Sequence, residues 1–175
     1  MDFAYENDGN ALAFTDHGHM NGLPYQVLHA RKMKASGKKF KPIFGVEAYF
    51  NPSLEQWREE YEKAKQEKKK GIKNEIELSI ENEKASKQKV VDILKKRNHL
   101  ILVAQSQTGL NNIFKLVSES YKDENFYRYP RIDYKLLSLY GEGVIASSAC
   151  LGGVYAGDYW DYKDGDSSAI LNAMR

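Results

Sequence analysis

The chain has 175 residues, of which 42% are hydrophobic and 29% are charged, and its formal net charge is +2. This size and composition are typical of one soluble globular domain, and no apolar run approaches the roughly 20 residues that a membrane span needs. A near-neutral chain has no strong overall attraction to nucleic acid, so any such contact must be local. The N-terminal residues lack the features of a secretion signal, which predicts a cytoplasmic protein, and the single cysteine excludes an internal disulfide.

A short apolar run at residues 11–14 stops at a polar cluster that contains Asp16, His17 and His19. This pattern predicts a buried strand that delivers polar side chains to a site, because functional groups collect where parallel strands end. A turn with a helix cap explains the same residues about equally well.

A strand, a helix and a second strand are predicted in succession. Residues 21–36 carry apolar side chains at near-helical spacing, and residues 42–50 form an apolar run that is too short for a core helix. Short loops between such elements predict a βαβ unit in a parallel sheet. Glu47 falls within the second run, where a buried carboxylate needs a metal ion, an Arg or a Lys to compensate its charge. An edge strand with Glu47 in water is the alternative.

Residues 53–97 differ in composition from the rest of the chain. They are rich in Glu and Lys at one-turn spacing and carry only a thin apolar stripe, which predicts a charged, mostly helical insertion. Basic triplets at residues 68–70 and 95–97 suit a phosphate backbone, but the interleaved glutamates favour a solvated helix.

Strands and helices return after the insertion. Residues 98–104 are predicted to form a buried strand that His99 opens, and residues 108–121 to form an amphipathic helix. Residues 125–133 mix aromatic side chains with Arg, which suits either base stacking or, as the favoured interpretation, packing under a loop. Asp133 is predicted to cap a short helix that runs through Leu139.

The last predicted strand, at residues 143–153, ends in small residues around Cys150. This cysteine is a small buried residue, a nucleophile or a soft metal ligand, and its neighbours in sequence do not choose among the three. Residues 167–175 begin a further helix, and the first residues resemble the tail of one, so we expect a piece of a longer protein.

Five motifs occur in order along the chain: Ala-Leu-Ala-Phe-Thr-Asp-His-Gly, Lys-Pro-Ile-Phe-Gly-Val-Glu-Ala-Tyr, Asn-His-Leu-Ile-Leu-Val-Ala, Pro-Arg-Ile-Asp and Ala-Ser-Ser-Ala-Cys-Leu-Gly-Gly. Together they resemble the PHP (polymerase and histidinol phosphatase) domain at the N-terminus of bacterial-type DNA polymerase III alpha subunits. The resemblance implies a partial PHP domain over residues 1–175, interrupted by the insertion at 53–97. The implied fold is α/β: a distorted, TIM-like β/α barrel of seven strands, incomplete here, with a three-metal cluster at one mouth.

The resemblance also implies which residues form the site. The positions that match metal ligands of the family are His17, Glu47, His99 and Cys150. Glu47 would bridge two metals and Asp16 would support the ligands, whereas His19 is not carried over. Imidazole, carboxylate and thiolate donors suit zinc first, with manganese or iron as alternatives.

Five further ligands of the family fall outside the chain, in a His-x-His pair with a following Asp upstream and in an Asp-x-His downstream. We therefore expect this chain to hold one metal at most weakly and to be inactive alone, while the intact protein performs metal-dependent phosphoester hydrolysis such as 3′–5′ exonuclease proofreading. The implied partners are DNA, the rest of the polymerase and a proofreading subunit, with no membrane. A non-catalytic interaction module and a stand-alone PHP phosphatase are the alternatives.

Overall fold

The computed structural model describes residues 1–74, 87–88, 91–93 and 95–156. In chain order, the helices and strands are α1 (Asp2–Glu6), β1 (Ala11–His17), α2 (Leu23–Ala35), β2 (Lys41–Phe50), α3 (Leu54–Asn74), β3 (Asn98–Ala104), α4 (Gln107–Ser120), β4 (Phe126–Tyr127), β5 (Tyr129–Ile132), α5 (Tyr134–Tyr140) and β6 (Val144–Ser148). Within these residues no helix is both long enough and apolar enough to span a bilayer. The helix predicted at residues 167–175 lies outside the described residues.

Strand β2 is the centre of a mixed sheet. β1 lies parallel to it, with His17 opposite Glu47, and β5 continues the same side of β2 in parallel. β3 lies antiparallel on the other side, where Phe50 is opposite Asn98, and β6 is antiparallel to β3. The α/β class and the βαβ unit are thus confirmed, but the prediction of a parallel sheet is wrong. The six described strands form an open sheet and do not close into a barrel.

One face of the sheet carries the hydrophobic core. The buried residues of this core are Val46, Ala48, Phe50, Leu102, Ile113, Leu116 and Ile132. The residues on β2 alternate, because successive side chains of a strand point to opposite faces. Helix α4 buries Ile113 and Leu116 against them, and its first turn is capped by the Ser106 hydroxyl, which accepts a hydrogen bond from the Gly109 amide at 3.1 Å. The alternation leaves the odd-numbered residues of β2 on the other face.

Gly45 allows β3 to pack closely against β2. A Cβ atom at this position would overlap the carbonyl oxygen of Leu102 and would lie 2.9 Å from Cγ1 of Val103. A side chain here would therefore push the two strands apart, which explains why an apolar strand contains a glycine. The close neighbour of Gly45 is thus the backbone of β3.

The start of the charged insertion is a helix with one buried face. Leu54, Trp57 and Ala64 on α3 are all nearly inaccessible, at helical spacing, while most of the residues between them are exposed. The solvated helix predicted here is therefore wrong for this face, since an apolar stripe of α3 packs on the domain. The side chains of the basic triplet at residues 68–70 lie outside the described residues.

Asp133 joins the starts of two helices. One carboxylate oxygen accepts a hydrogen bond from the Leu136 amide at 2.9 Å, which confirms the predicted cap of α5, and the other accepts one from the Leu54 amide at 3.2 Å. The second contact, at the start of α3, is not evident from the sequence. Asp133 is only 7% exposed, so both amides depend on it rather than on water.

Replacing Asp133 with Ala is expected to lower the free energy of unfolding by about 2 kcal/mol, because it leaves two helix amides without an acceptor. Asp133→Asn keeps one acceptor oxygen and should lose about half as much. Urea unfolding of the two variants measures the difference. A loss equal for both variants, or below that of exposed Asp123→Ala, would contradict the double cap.

Candidate metal centre

Four sequence-predicted ligands lie at one edge of the sheet, the edge formed by the end of β1 and the start of β3. His17 ends β1, and Glu47 lies opposite it on the parallel strand β2. β3 runs the other way, so its first residues lie beside the last residues of β2, and His99 pairs with Tyr49. β6 is antiparallel to β3, and therefore Cys150, just beyond its end, also arrives at this edge. The reversed direction of β3 explains why one ligand opens a strand while the others lie near strand ends.

Three of the four residues converge closely enough to share an ion. One donor atom from each of His17, Glu47 and His99 lies within 4.8 Å of the others. Oε1 of Glu47 lies 2.7 Å from Nδ1 of His99, and Oε2 lies 3.5 Å from Nδ1 of His17. The two carboxylate oxygens thus face different imidazoles.

Glu47 is enclosed by strands on both sides. Its side chain is 14% exposed, and β1 and β3 flank it, so the alternative of an edge strand in water is wrong. Burial of a carboxylate is unfavourable unless a positive charge or hydrogen bonds compensate it. Among the described residues, the two imidazoles supply that compensation here, and each would bind a metal ion in its neutral form.

Cys150 lies beside the three converging residues and contacts one of them, His99. Its Sγ atom lies 3.4 Å from Nδ1 of His99, on the side chain that also contacts Glu47. The turn after β6 holds it there: the His99 amide donates a hydrogen bond to the Gly152 carbonyl at 2.7 Å, and the Gly152 amide donates one to Sγ at 3.4 Å. Cys150 is exposed rather than buried, so the interpretation as a small core residue is wrong.

An aromatic wall lies beside the ligands and was missed by the sequence analysis. The Tyr49 ring is stacked with that of His17 at 6.5 Å between centroids, and meets His99 edge-on at 5.4 Å. The guanidinium of Arg97 lies 5.3 Å from the Tyr49 ring and 3.8 Å from that of Tyr129. Burial raises the pKa of Tyr49, so this hydroxyl is protonated at neutral pH. Strand alternation does place Tyr49 on the same face of β2 as Glu47, but it does not show that the ring contacts the two imidazoles.

Gly18 lets the chain turn away directly after His17. Its φ angle is +70°, and a Cβ atom would lie 3.0 Å from both Tyr49 and Pro130. Its amide donates a hydrogen bond to the Glu47 carbonyl at 2.9 Å, which ties the end of β1 to β2. A side chain at this position would be strained by both the backbone and the Tyr49 ring. The glycine therefore fixes where the His17 imidazole can lie.

Asp16 and His19 do not lie among the converging donor atoms. Asp16 is on the opposite face of β1 from His17, and a Cβ atom on Gly22 would be 2.8 Å from its Oδ2 atom. The carboxylate thus lies against the turn that follows the strand. Nδ1 of His19 accepts a weak hydrogen bond from the Asn21 amide at 3.4 Å, within the same turn.

The donor set suits a soft or borderline divalent ion. Two imidazoles, a carboxylate and a thiolate are the ligands that zinc prefers, and a carboxylate with imidazoles also accommodates manganese or iron. The enclosed carboxylate with two imidazoles turned toward it fits a cation at this edge. The nitrogen and oxygen donors of His17, Glu47 and His99 lie within 4.8 Å of one another, and the sulfur of Cys150 lies 3.4 Å from His99.

Comparison with known proteins gives a consistent result. The model of the PHP domain family matches residues 1–160. DNA polymerase III subunit alpha of Aquifex aeolicus is 38% identical over 151 residues, which is 86% of this chain and 10% of that protein. The proteins of the same name from Borreliella burgdorferi and Campylobacter jejuni are 46% and 36% identical, over 82% and 85% of this chain and 9% of each relative.

The chain thus spans about a tenth of the length of these curated relatives. The family match covers all four predicted ligands and both strands that flank Glu47. It also includes the insertion predicted at residues 53–97. On the evidence of this match, the chain belongs to the PHP domain family.

Proposed function

We propose that this chain is the metal-binding PHP portion of a DNA polymerase III alpha-like protein. The observation that carries the proposal is the convergence of His17, Glu47 and His99 donor atoms within 4.8 Å at one edge of the sheet. The relatives with the polymerase name support the same assignment, and they favour it over a stand-alone phosphatase.

In this proposal each residue has a defined task. The imidazoles of His17 and His99 and the thiolate of Cys150 would hold the metal, zinc being the first choice, and Glu47 would bridge two metals. A bound divalent metal polarises a phosphoryl oxygen and lowers the pKa of a bound water. Asp16 acts as a positioning residue, because it packs on the turn that follows His17.

The intact protein would close the sheet described above into the seven-stranded barrel of the family. Phosphoester hydrolysis with 3′–5′ polarity would be performed there, with the ligands that this chain does not carry. DNA, the remaining polymerase and a proofreading subunit are the proposed partners, in the cytoplasm. A PHP module without chemistry is the alternative, and the enclosed Glu47 argues against it, since a metal-free sheet gains nothing from burying a carboxylate.

Cobalt binding tests the ligand set directly. We expect Co²⁺ added to the purified chain to give a near-ultraviolet charge-transfer band from the Cys150 thiolate, together with visible bands of low-symmetry cobalt. Cys150→Ser should lose the charge-transfer band and retain weaker cobalt binding through the imidazoles. His19→Ala, in the neighbouring turn, is the matched control and should leave the spectrum unchanged.

Hydrolysis is tested in the longer protein. A 5′-labelled oligonucleotide should be shortened by the zinc- or manganese-loaded enzyme and not by its His99→Ala variant, while the 175-residue chain should leave it intact. A cobalt spectrum that is the same with and without Cys150 would overturn the ligand assignment. A metal-loaded longer protein that never shortens the oligonucleotide would leave the non-catalytic module as the function.

A further inference from the structure

A long stretch of the sequence is strongly basic although the whole chain is nearly neutral. Between Asp16 and Glu47 there is no Asp or Glu, and the same stretch contains six Lys and Arg residues, all within residues 31–41. The rest of the chain must therefore carry a net negative charge. Charge that is this segregated produces a local field that the net value of +2 conceals.

The fold gathers these cations around a groove. The groove has a volume of about 940 Å³ and lies between the second half of α2, the loop that follows it and the first residues of β1 and β2. Its cationic lining residues are Arg31, Lys34, Lys38, Lys39 and Lys41, and none of its lining residues is acidic. Phe40 and Phe44 supply half-buried aromatic surface to the same groove. We refer to these seven residues as the basic groove.

Most of this charge is not neutralised by the protein. Lys38 is paired with Asp2 at 3.6 Å. In the described part of the chain, the other four cations make no ion pair, and all four are exposed. Four like charges around one groove repel each other, and this repulsion is relieved only when a polyanion or counterions bind.

We propose that the basic groove binds the sugar–phosphate backbone of single-stranded DNA. Phosphates pair with the exposed cations, and the aromatic side chains provide surfaces on which unpaired bases stack. A duplex would leave Phe40 and Phe44 unused, because its bases are already stacked. An acidic protein segment would pair with the cations but would bring no bases to stack on the aromatic side chains. The choice of DNA over another polyanion rests on the proposed function.

The position of the groove defines its task. Lys41 pairs with Ala11 at the start of β1 and β2, whereas Glu47 pairs with His17 at the other end. Six residues of strand separate these positions, or about 20 Å. DNA bound in the groove is thus held along its length, several nucleotides away from any end that reaches the candidate metal centre. The groove is a separate contact and not part of that centre.

Fluorescence anisotropy of a labelled 20-nucleotide oligothymidylate tests the groove. The quadruple variant Arg31→Gln, Lys34→Gln, Lys39→Gln, Lys41→Gln should bind at least about tenfold more weakly at low salt. The slope of log affinity against log salt should become shallower by about 0.7 for each lost phosphate contact. The matched control is Lys63→Gln, Lys65→Gln, Lys115→Gln, Lys122→Gln, which removes the same charge elsewhere and should change binding less than twofold.

The aromatic surface is tested by Phe40→Leu. We expect severalfold weaker binding with an unchanged salt slope, since stacking involves no counterion release. The proposal would be overturned by equal losses in the two quadruple variants, by the absence of binding at low salt, or by tighter binding of polyglutamate than of oligothymidylate. Circular dichroism of each variant ensures that a loss does not arise from unfolding.

Metal content of the same variants separates this proposal from the previous one. The groove variant should retain its metal, and the parent chain should bind the oligonucleotide equally well with and without a metal chelator. A chain that binds DNA but no metal would therefore contradict only the proposed metal centre. A chain that binds metal but no DNA would contradict only the proposed groove.

Discussion

Replacing Glu47 with Gln is expected to lower the zinc affinity of this chain at least about 100-fold. The carboxylate of Glu47 faces both candidate imidazoles, with Oε1 at 2.7 Å from Nδ1 of His99 and Oε2 at 3.5 Å from Nδ1 of His17. The substitution removes the anionic charge and one acceptor oxygen while it keeps the shape of the side chain. Loss of a group that only supports a ligand already lowers affinity by about 10- to 100-fold, so loss of a ligand should exceed that.

Competition with a chromophoric zinc chelator gives the affinity, and elemental analysis gives the stoichiometry. Glu119→Gln is the matched control. Glu119 lies on α4, at least 20 residues along the chain from each predicted ligand, and its carboxylate also has a close partner, because it forms an ion pair with Lys122 at 2.7 Å. Equal zinc affinity in the Glu47 and Glu119 variants would contradict the assignment. The comparison does not depend on catalysis and is independent of the activity of the longer protein.

Replacing Arg131 with Ala is expected to lower the free energy of unfolding by about 3–5 kcal/mol. Arg131 has no exposed surface, and its guanidinium donates hydrogen bonds to the carbonyls of Tyr127 at 2.9 Å and Tyr129 at 3.1 Å. It also lies 4.4 Å from the ring centroid of Trp57. Truncation removes the donor to these two carbonyls, removes the cation–π contact and opens a cavity, and each effect is unfavourable.

The charge on Arg131 persists in the folded protein. Burial and then the neighbouring Arg97 lower its pKa to about 10, which still leaves the guanidinium protonated near neutral pH. The residue therefore works as a cation that clamps the β4–β5 hairpin and α3 together. This role matches the packing interpretation of residues 125–133 and leaves no surface of Arg131 on which a base could stack.

Urea unfolding measures the Arg131 effect. With a slope of about 2 kcal/mol per molar urea, the midpoint should fall by about 2 M. Arg131→Lys should be intermediate, because it keeps the charge but loses the fork of donors. Arg128→Ala is the control: Arg128 is exposed in the same hairpin, 5.9 Å from the Tyr127 ring, and should lose less than about 0.5 kcal/mol. Similar losses at positions 128 and 131 would disprove the clamp.

Several elements could be predicted from the sequence because their signals are local. The strand predicted at residues 98–104 is β3, and the helix predicted at residues 108–121 is α4 within one residue at each end. Apolar periodicity and capping residues depend only on residues that are close in sequence, so they can be recognised without knowledge of the fold. The hairpin at β4 and β5 was missed, because two short strands, the second of which contains a Pro, resemble a loop.

The metal centre was predicted in a different way. Strand-end reasoning accounts for His17, the position of Glu47 in an apolar strand marked it as needing a compensating charge, and a soft metal ligand was one interpretation of Cys150. The resemblance to the PHP domain joined these residues with His99 into one ligand set. Only the sheet explains that set, because the antiparallel direction of β3 brings a residue that opens a strand to the edge where β1 ends. Strand direction depends on contacts between residues far apart in sequence, and no local pattern contains it.

By itself, then, the sequence determined the α/β class, the position of most helices and strands, and the chemical types of the candidate ligands. The tertiary structure decided which side chains meet: it enclosed Glu47 between two strands, buried Arg131 under Trp57, and gathered the cations of residues 31–41 around one groove. Residue type and spacing set the local conformation and the available chemistry. Distances between side chains depend on how strands pair and helices pack, and these are properties of the whole folded chain.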